Sequence, residues 1–182
     1  MTTMTFLAIG ECMIEFAPDG TGNYAQSYAG DTFNTAWYLR KLLARDAKVG
    51  FASVIGADAA SDGMAAFIGA AGIDTGGLMR DPDRSVGLYV IQIDNGERSF
   101  SYWRSDSAAR RLARDPVWLA TQFRDVQNLY FSGITLAILD AVNRQSFLSA
   151  VLAAKADGAR VIFDTNLRTR LWEDAKTMCH WV

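Results

Sequence analysis

The sequence predicts an α/β protein: a parallel sheet flanked by helices, with a flap or small second β-sheet set into it. Three observations carry that prediction. Short apolar runs alternate with segments of helical periodicity in the first and last thirds of the chain. Those runs end at Gly10, Gly56, Gly133 and Asp164, where strands would hand over to loops. A hairpin pattern over residues 86–103 breaks the alternation and reads as a flap or second sheet. Strands alternating with helices imply right-handed crossovers, and so parallel pairing.

Residues 5–9 are an apolar run closed by Gly10, the pattern of a buried strand. Residues 12–16 continue extended until Pro18, Asp19, Gly20 and Gly22 turn the chain. The glycines of Gly20-Thr21-Gly22-Asn23-Tyr24-Ala25 match a dinucleotide fingerprint in letters only. They follow a turn and open no helix, so no pyrophosphate site is expected there. Beyond Gly30, Phe33, Ala36, Trp37, Leu39, Leu42 and Leu43 recur at helical spacing, with Asp31 or Thr32 as N-cap. Residues 49–55 read as a strand. Residues 61–71 read as a helix closed by Gly72. Two β-rich runs, 86–93 and 98–103, flank Asn95-Gly96, the strongest short-range hairpin signal. Residues 128–132 form a strand. Residues 139–157 form a helix with Val142, Leu148, Val151 and Leu152 inward, closed by Gly158. Residues 160–163 form a last strand.

Composition narrows the function classes. The 182 residues, 50% hydrophobic and 21% charged, make one domain with a real core. Eighteen Lys and Arg against twenty Asp and Glu, with no basic face, speak against a nucleic-acid partner. No apolar run approaches the roughly 18–20 residues of a membrane span, and residues 1–10 lack the pattern of a secretory signal. Cys12 and Cys179 lie too far apart in sequence for a zinc motif, and reduced thiols in a cytoplasmic protein are expected. The single histidine, His180, reads as a tail residue, so histidine-based catalysis and histidine metal clusters have almost nothing to work with.

Ligands of open α/β sheets bind beyond the carboxyl ends of the strands, and three polar clusters fall there or on the flap. Gly30-Asp31-Thr32-Phe33-Asn34 enters a helix, where Asp31 and Asn34 could bond hydroxyls or could simply begin a capped helix. Tyr89 with Tyr102-Trp103-Arg104 could close over a small ligand, or form a surface ribbon of cross-strand aromatics. Asp164-Thr165-Asn166-Leu167-Arg168 follows a buried strand, either as an anion-binding corner or as an internal Asp164–Arg168 ion pair.

In this order the motifs resemble the ribokinase-like (pfkB) carbohydrate kinases, and within them the 2-keto-3-deoxygluconate kinases. Gly10-Glu11-Cys12-Met13-Ile14-Glu15 resembles the family's opening strand and the start of its lid. Ala29 to Ala36 resembles the first family signature, with Thr32 where that pattern has Gly, Ala or Pro. Gly87-Leu88-Tyr89 and Gly96 to Arg104 resemble the lid hairpin. Leu129 to Ile134, and Phe163-Asp164 through Asn166, Arg168, Leu171 and Trp172, extend the likeness to nearly the whole chain.

The resemblance implies ATP-dependent phosphoryl transfer to O6 of 2-keto-3-deoxy-D-gluconate, with ATP and Mg2+ as cofactors. It implies that Gly30, Asp31 and Asn34 hold sugar hydroxyls, and that Tyr89, Tyr102 and Arg104 cover the sugar from lid elements at about residues 12–30 and 86–104. Ile134 would line the site, Arg168 would meet the carboxylate, and Asn166 would lie toward the nucleotide. A homodimer through the lid sheet is implied too. The family's Gly-Ala-Gly-Asp signature and Asn-x-x-Glu element do not occur here. The expected aspartate base therefore lies beyond Val182, residues 1–182 would be the N-terminal portion of one kinase domain, and no catalytic or metal residue is assigned within them. The sheet is then expected to have an open edge. The alternatives are a fructokinase or ribokinase-type enzyme, or a catalytically dead sugar-acid binding fragment.

Overall fold

A computed structural model describes residues 4–182. Nine strands follow in chain order: β1 (Phe6–Ile9), β2 (Met13–Pro18), β3 (Tyr24–Ala29), β4 (Val49–Gly56), β5 (Leu78–Asp81), β6 (Leu88–Asp94), β7 (Glu97–Trp103), β8 (Asn128–Ser132) and β9 (Arg160–Asp164). The α-helices are α1 (Asp31–Leu42), α2 (Ala59–Ala70), α3 (Pro116–Phe123), α4 (Gly133–Ala137), α5 (Ala141–Ala156) and α6 (Ala175–Trp181).

Five strands pair in the order β5-β4-β1-β8-β9, every pairing parallel, with Ala8 of β1 between Phe51 and Tyr130. The central strand β1 is buried on both faces, which explains its unbroken apolar run. Its alternate residues feed two cores. Leu7 and Ile9 join Phe131, Leu119 and Phe147 under α3 and α5, while Phe6 and Ala8 join Phe33, Phe51, Met64 and Ile68 under α1 and α2. The edge strand β9 is half open, with Ile162 exposed.

The second sheet runs β3-β2-β6-β7 and is mixed: β2 pairs parallel with β6 and antiparallel with β3, and β6 pairs antiparallel with β7. The expected hairpin forms as a two-residue turn between paired Asp94 and Glu97, and both of its residues have positive φ, Asn95 at 50° and Gly96 at 84°. At the other turn Asp19 accepts from the backbone of Thr21 and Asn23. The glycines of the discarded fingerprint thus wrap their own aspartate, and a strand follows.

Several expectations need correction. The N-cap of α1 is Gly30, not Asp31 or Thr32, and no side chain caps that helix. Leu42 is exposed, because nine residues of helix place it about 180° from Phe33. In α5 the inward stripe is Arg144, Phe147, Val151 and Ala154. Val142 and Leu152 stand about 140° from Phe147 and face solvent. Strands β3 and β5, helices α3, α4 and α6 and a 3-10 turn at Ala108–Arg111 lie outside the elements expected from sequence, although Asp115 and Pro116 are a helix-start signal for α3. Four-residue β5 exists by pairing with β4, and α3 buries only Leu119 and Phe123.

Candidate functional site

The site forms where the carboxyl ends of β1, β8 and β9 meet the small sheet. Freed from capping, Asp31 turns its carboxylate toward β8 and β9. Ser132 Oγ donates to Asp31 Oδ2, and Asn166 Nδ2 donates to the same oxygen at 2.8 Å. Asp31 Oδ1 has no hydrogen-bond partner among the described residues, so it is open to a ligand hydroxyl. Asn166 reaches back because its backbone is left-handed (φ 30°), a conformation asparagine tolerates better than most residues. Its own N–H donates to Asp164 Oδ1 at 3.1 Å, and the Tyr130 hydroxyl donates to Asp164 Oδ2 at 3.4 Å. Burial, then the nearby carboxylates, push the Tyr130 phenol above its ordinary range. At Gly30 a Cβ would lie 2.1 Å from the Glu11 carbonyl oxygen, so the entry to α1 has no room for a side chain. Asn34 is exposed and its amide oxygen accepts from Gly30 N at 3.5 Å.

A cleft of about 650 Å³ opens between β7 and the segment after β9. Tyr102, Arg104, Ile134 and Arg168 line it together with Arg98, Phe100 and Arg170. Ile134 lies two residues beyond Ser132 in sequence, the donor to Asp31. Residues 98, 100 and 102 share one face of β7, with the ring centroids of Phe100 and Tyr102 6.1 Å apart. Arg104 is paired with buried Glu11. Among the described residues, Arg98, Arg168 and Arg170 have no carboxylate within ion-pair distance. The alternative Asp164–Arg168 pair does not form; Arg168 donates only to the Leu167 carbonyl, at 3.2 Å. Three unneutralised guanidiniums around an aromatic wall suit a small organic anion.

The structure therefore gathers Tyr102, Arg104, Ile134 and Arg168 on the cleft, and Gly30, Asp31 and Asn166 at the strand ends. Tyr89 sits behind them: it is buried, its ring 5.6 Å from that of Tyr102, and its hydroxyl donates to Glu15. Burial and then the Glu15 carboxylate hold that phenol far above its ordinary range, so Tyr89 stays neutral and supports the cleft wall. Asn166, placed toward a nucleotide by resemblance, is engaged with Asp31. Residues the sequence reading did not single out are Arg98, Phe100 and Arg170 on the cleft, and Ser132 beside Asp31. The period-two spacing of Arg98, Phe100 and Tyr102 is a signal that could have found the first two. Cys12 is no nucleophile, since burial, then the Glu11 charge, keeps its thiol well above the ordinary range.

The atom left open at Asp31 is a carboxylate oxygen, an acceptor matched to a hydroxyl donor rather than to a triphosphate. No three His, Cys, Asp or Glu side chains gather as a metal centre among the described residues. Among the described residues this donor set neither cradles a triphosphate nor gathers ligands for Mg2+, and what it offers a ligand is one carboxylate oxygen that can accept from a hydroxyl.

A parallel sheet joined to a mixed small sheet, with an open aspartate oxygen and an arginine-lined cleft near their junction, defines an α/β protein suited to a small polar ligand. The pfkB family carbohydrate kinase model matches residues 5–182, and the chain belongs to that family. It is 39% identical over 177 residues to the 2-dehydro-3-deoxygluconokinase of Dickeya dadantii, covering 95% of this chain and 57% of that protein. It is 26% identical to a fructokinase of Vibrio alginolyticus over 91% of this chain and 52% of that protein. The chain thus spans about half the length of the curated relatives it matches. Among solved structures, the 2-dehydro-3-deoxygluconokinase of Thermotoga maritima superposes with a TM-score of 0.83 at 22% identity, over 98% of this chain and 56% of that one. A fructokinase of Xylella fastidiosa with bound ATP gives 0.82 at 24%, over 98% and 57%. These two likenesses establish the fold.

Proposed function

We propose that this chain is the sugar-binding part of an ATP-dependent kinase that phosphorylates 2-dehydro-3-deoxy-D-gluconate (the 2-keto-3-deoxygluconate above) at O6. One observation carries the choice of a sugar acid over a neutral sugar: the cleft holds three arginines with no carboxylate partner among the described residues. A neutral sugar gives them nothing to neutralise, whereas a carboxylate accepts bidentate guanidinium bonds. The names of the relatives at 36–39% identity support the same substrate.

In this reading Asp31, kept in place by Ser132 and Asn166, accepts from a sugar hydroxyl, with Gly30 and Asn34 beside it. Tyr102 and Arg104 cover the ring, Ile134 packs against it, and Arg168 takes the carboxylate. ATP, with its magnesium ion, would supply the phosphoryl group. The chain's own part is to hold the acceptor sugar and close the flap over it. Exposed Trp103, on the face of β7 opposite Phe100 and Tyr102, supports a homodimer formed through that sheet. Light scattering on a size-exclusion column should give twice the chain mass at micromolar concentration; monomer throughout would contradict it. Two free thiols, one buried and one exposed, support a cytoplasmic location.

The reading is tested by incubating the full-length kinase, of which this chain is proposed to be the sugar-binding part, with Mg-ATP and, separately, 2-dehydro-3-deoxygluconate, fructose and ribose, and locating any phosphate by phosphorus–proton NMR. A 6-phosphate from the sugar acid alone is expected. Product from fructose or ribose instead would identify the rival sugar kinases. Saturable binding of the sugar acid with no product would identify a binding fragment.

A further inference from the structure

Glu11 lies outside the set of residues that line the cleft, yet it is the most deeply buried carboxylate near it, with a side chain only 1% exposed. It stands two residues after β1, where the chain leaves the large sheet for the small one. Both its oxygens are used. Arg104 Nη2 donates to Oε2, and Ser107 Oγ donates to Oε1. Arg104 and Ser107 are the ends of the turn by which the chain leaves β7, closed by the Ser107 N–H to the Arg104 carbonyl at 3.3 Å. Across the pair Gly87 packs tightly: a Cβ there would meet Glu11 Oε1 at 3.1 Å and the Arg104 Cβ at 3.2 Å. Arg104 Nε is buried with no acceptor of its own. Its guanidinium is therefore held through one nitrogen by a group anchored in the large sheet, while its flank lines the cleft.

A buried carboxylate without an opposite charge is costly, and so is a buried guanidinium. Each removes that cost from the other, and the arrangement leaves Arg104 with one orientation and no net charge to offer. Arg98, Arg168 and Arg170 are the opposite case: exposed and, among the described residues, unneutralised. A division of labour follows, with the free arginines reading the carboxylate and the latched arginine reading a neutral oxygen of the sugar.

We propose that Glu11 is a positioning residue for substrate binding: through Arg104, with Ser107 as second hook, it latches the exit of the flap to the large sheet and orients the guanidinium toward the sugar. The proposal rests on the reading that the cleft takes a sugar acid. A residue that acts only through another has a signature that a merely structural one lacks: its substitution has no effect once the other is gone.

The test is a double-mutant cycle on calorimetric binding of 2-dehydro-3-deoxygluconate, using wild type, Glu11→Gln, Arg104→Ala and the double variant, each checked for fold by circular dichroism. Glu11→Gln should weaken binding by roughly tenfold with Arg104 present, and change it by less than about twofold with Arg104 replaced. Ser107→Ala, which keeps the charge pair, should fall between wild type and Glu11→Gln and serves if Glu11→Gln does not fold. Unchanged or tighter binding in Glu11→Gln, or equal losses in both backgrounds, overturns the proposal. The ligand-free protein gives a second arm. The Arg104 Nε–H resonance should be sharp and slow to exchange in wild type and broaden in Ser107→Ala or Glu11→Gln. If wild type binds no sugar acid, the substrate reading fails while this resonance still decides the latch.

Discussion

Thr32 shows how one residue can depart from a family pattern and still fit. Its hydroxyl is buried without a hydrogen-bond partner, and a Cβ at Gly10 would come within 2.4 Å of it. An unpaired buried hydroxyl lowers stability, whereas a methyl of the same shape does not. Thr32→Val should therefore raise unfolding stability by about 1 kcal/mol, read from the urea midpoint at constant slope; a decrease would mean that the hydroxyl has a partner in solution. Arg168 makes the opposite case, since it is exposed and makes no ion pair. Arg168→Ala should leave stability unchanged within about 0.5 kcal/mol and weaken sugar-acid binding by more than about tenfold, with little change for a neutral sugar. Equal losses for both would remove the carboxylate assignment. Residue types were legible in the sequence at these positions; partners were not. That Asp31 would give up helix capping to bond Ser132 and Asn166, respectively 101 and 135 positions away, depends on strand order, which local pattern does not contain.

At the scale of elements, legibility followed the strength of local chemistry. The hairpin announced itself because Asn-Gly suits two successive positive φ angles, and the buried strands because parallel strands covered on both faces are continuously apolar. Strand β5 is hidden because pairing with β4 makes it, whereas α3 carries a local start signal, the Asp115 cap followed by Pro116, and is missed because it is short and buries only Leu119 and Phe123. The inward face of α5 departs from the expected apolar stripe because it includes a charged residue. Arg144 is buried, donates to the Leu136 carbonyl at 2.8 Å and to Glu173 at 2.8 Å, and lies 4.9 Å from the Trp172 ring. This strap ties α5 to the segment that follows Arg168. Removing the carboxylate strands a buried cation, although the exposed side of Glu173 lets water screen part of the loss. Glu173→Gln should cost on the order of 1 kcal/mol in a urea titration and increase hydrogen exchange over residues 165–175. Unaltered exchange there would show that the strap does not order the site segment.

For the whole molecule, the charge pattern sets an acid limit. Burial alone would raise the carboxyl of Asp81, but donors from Asp83, Arg111 and Arg84 bring it below its ordinary range. Arg111 is the partner on the 3-10 turn. Glu173 is likewise lowered by Arg144 against the effect of burial. A carboxyl whose folded pKa is depressed adds stability above its unfolded value and loses it as pH falls through the folded one. The melting temperature should thus hold from neutrality to about pH 5 and drop steeply below about pH 4. A flat profile down to pH 3 would contradict these pairings. The two-sheet architecture was legible from alternation of strands and helices interrupted by one hairpin. How the flap meets the core was not, because the Glu11–Arg104 contact joins residues 93 apart.

The central claim is that this architecture forms a site for a sugar acid. Isothermal titration of the protein with 2-dehydro-3-deoxygluconate, set against fructose in the same buffer, tests it most directly. Saturable binding of the acid, weakening with added salt, and at least about tenfold weaker binding of fructose are predicted. Equal affinity for the two, or a preference for fructose, would contradict it.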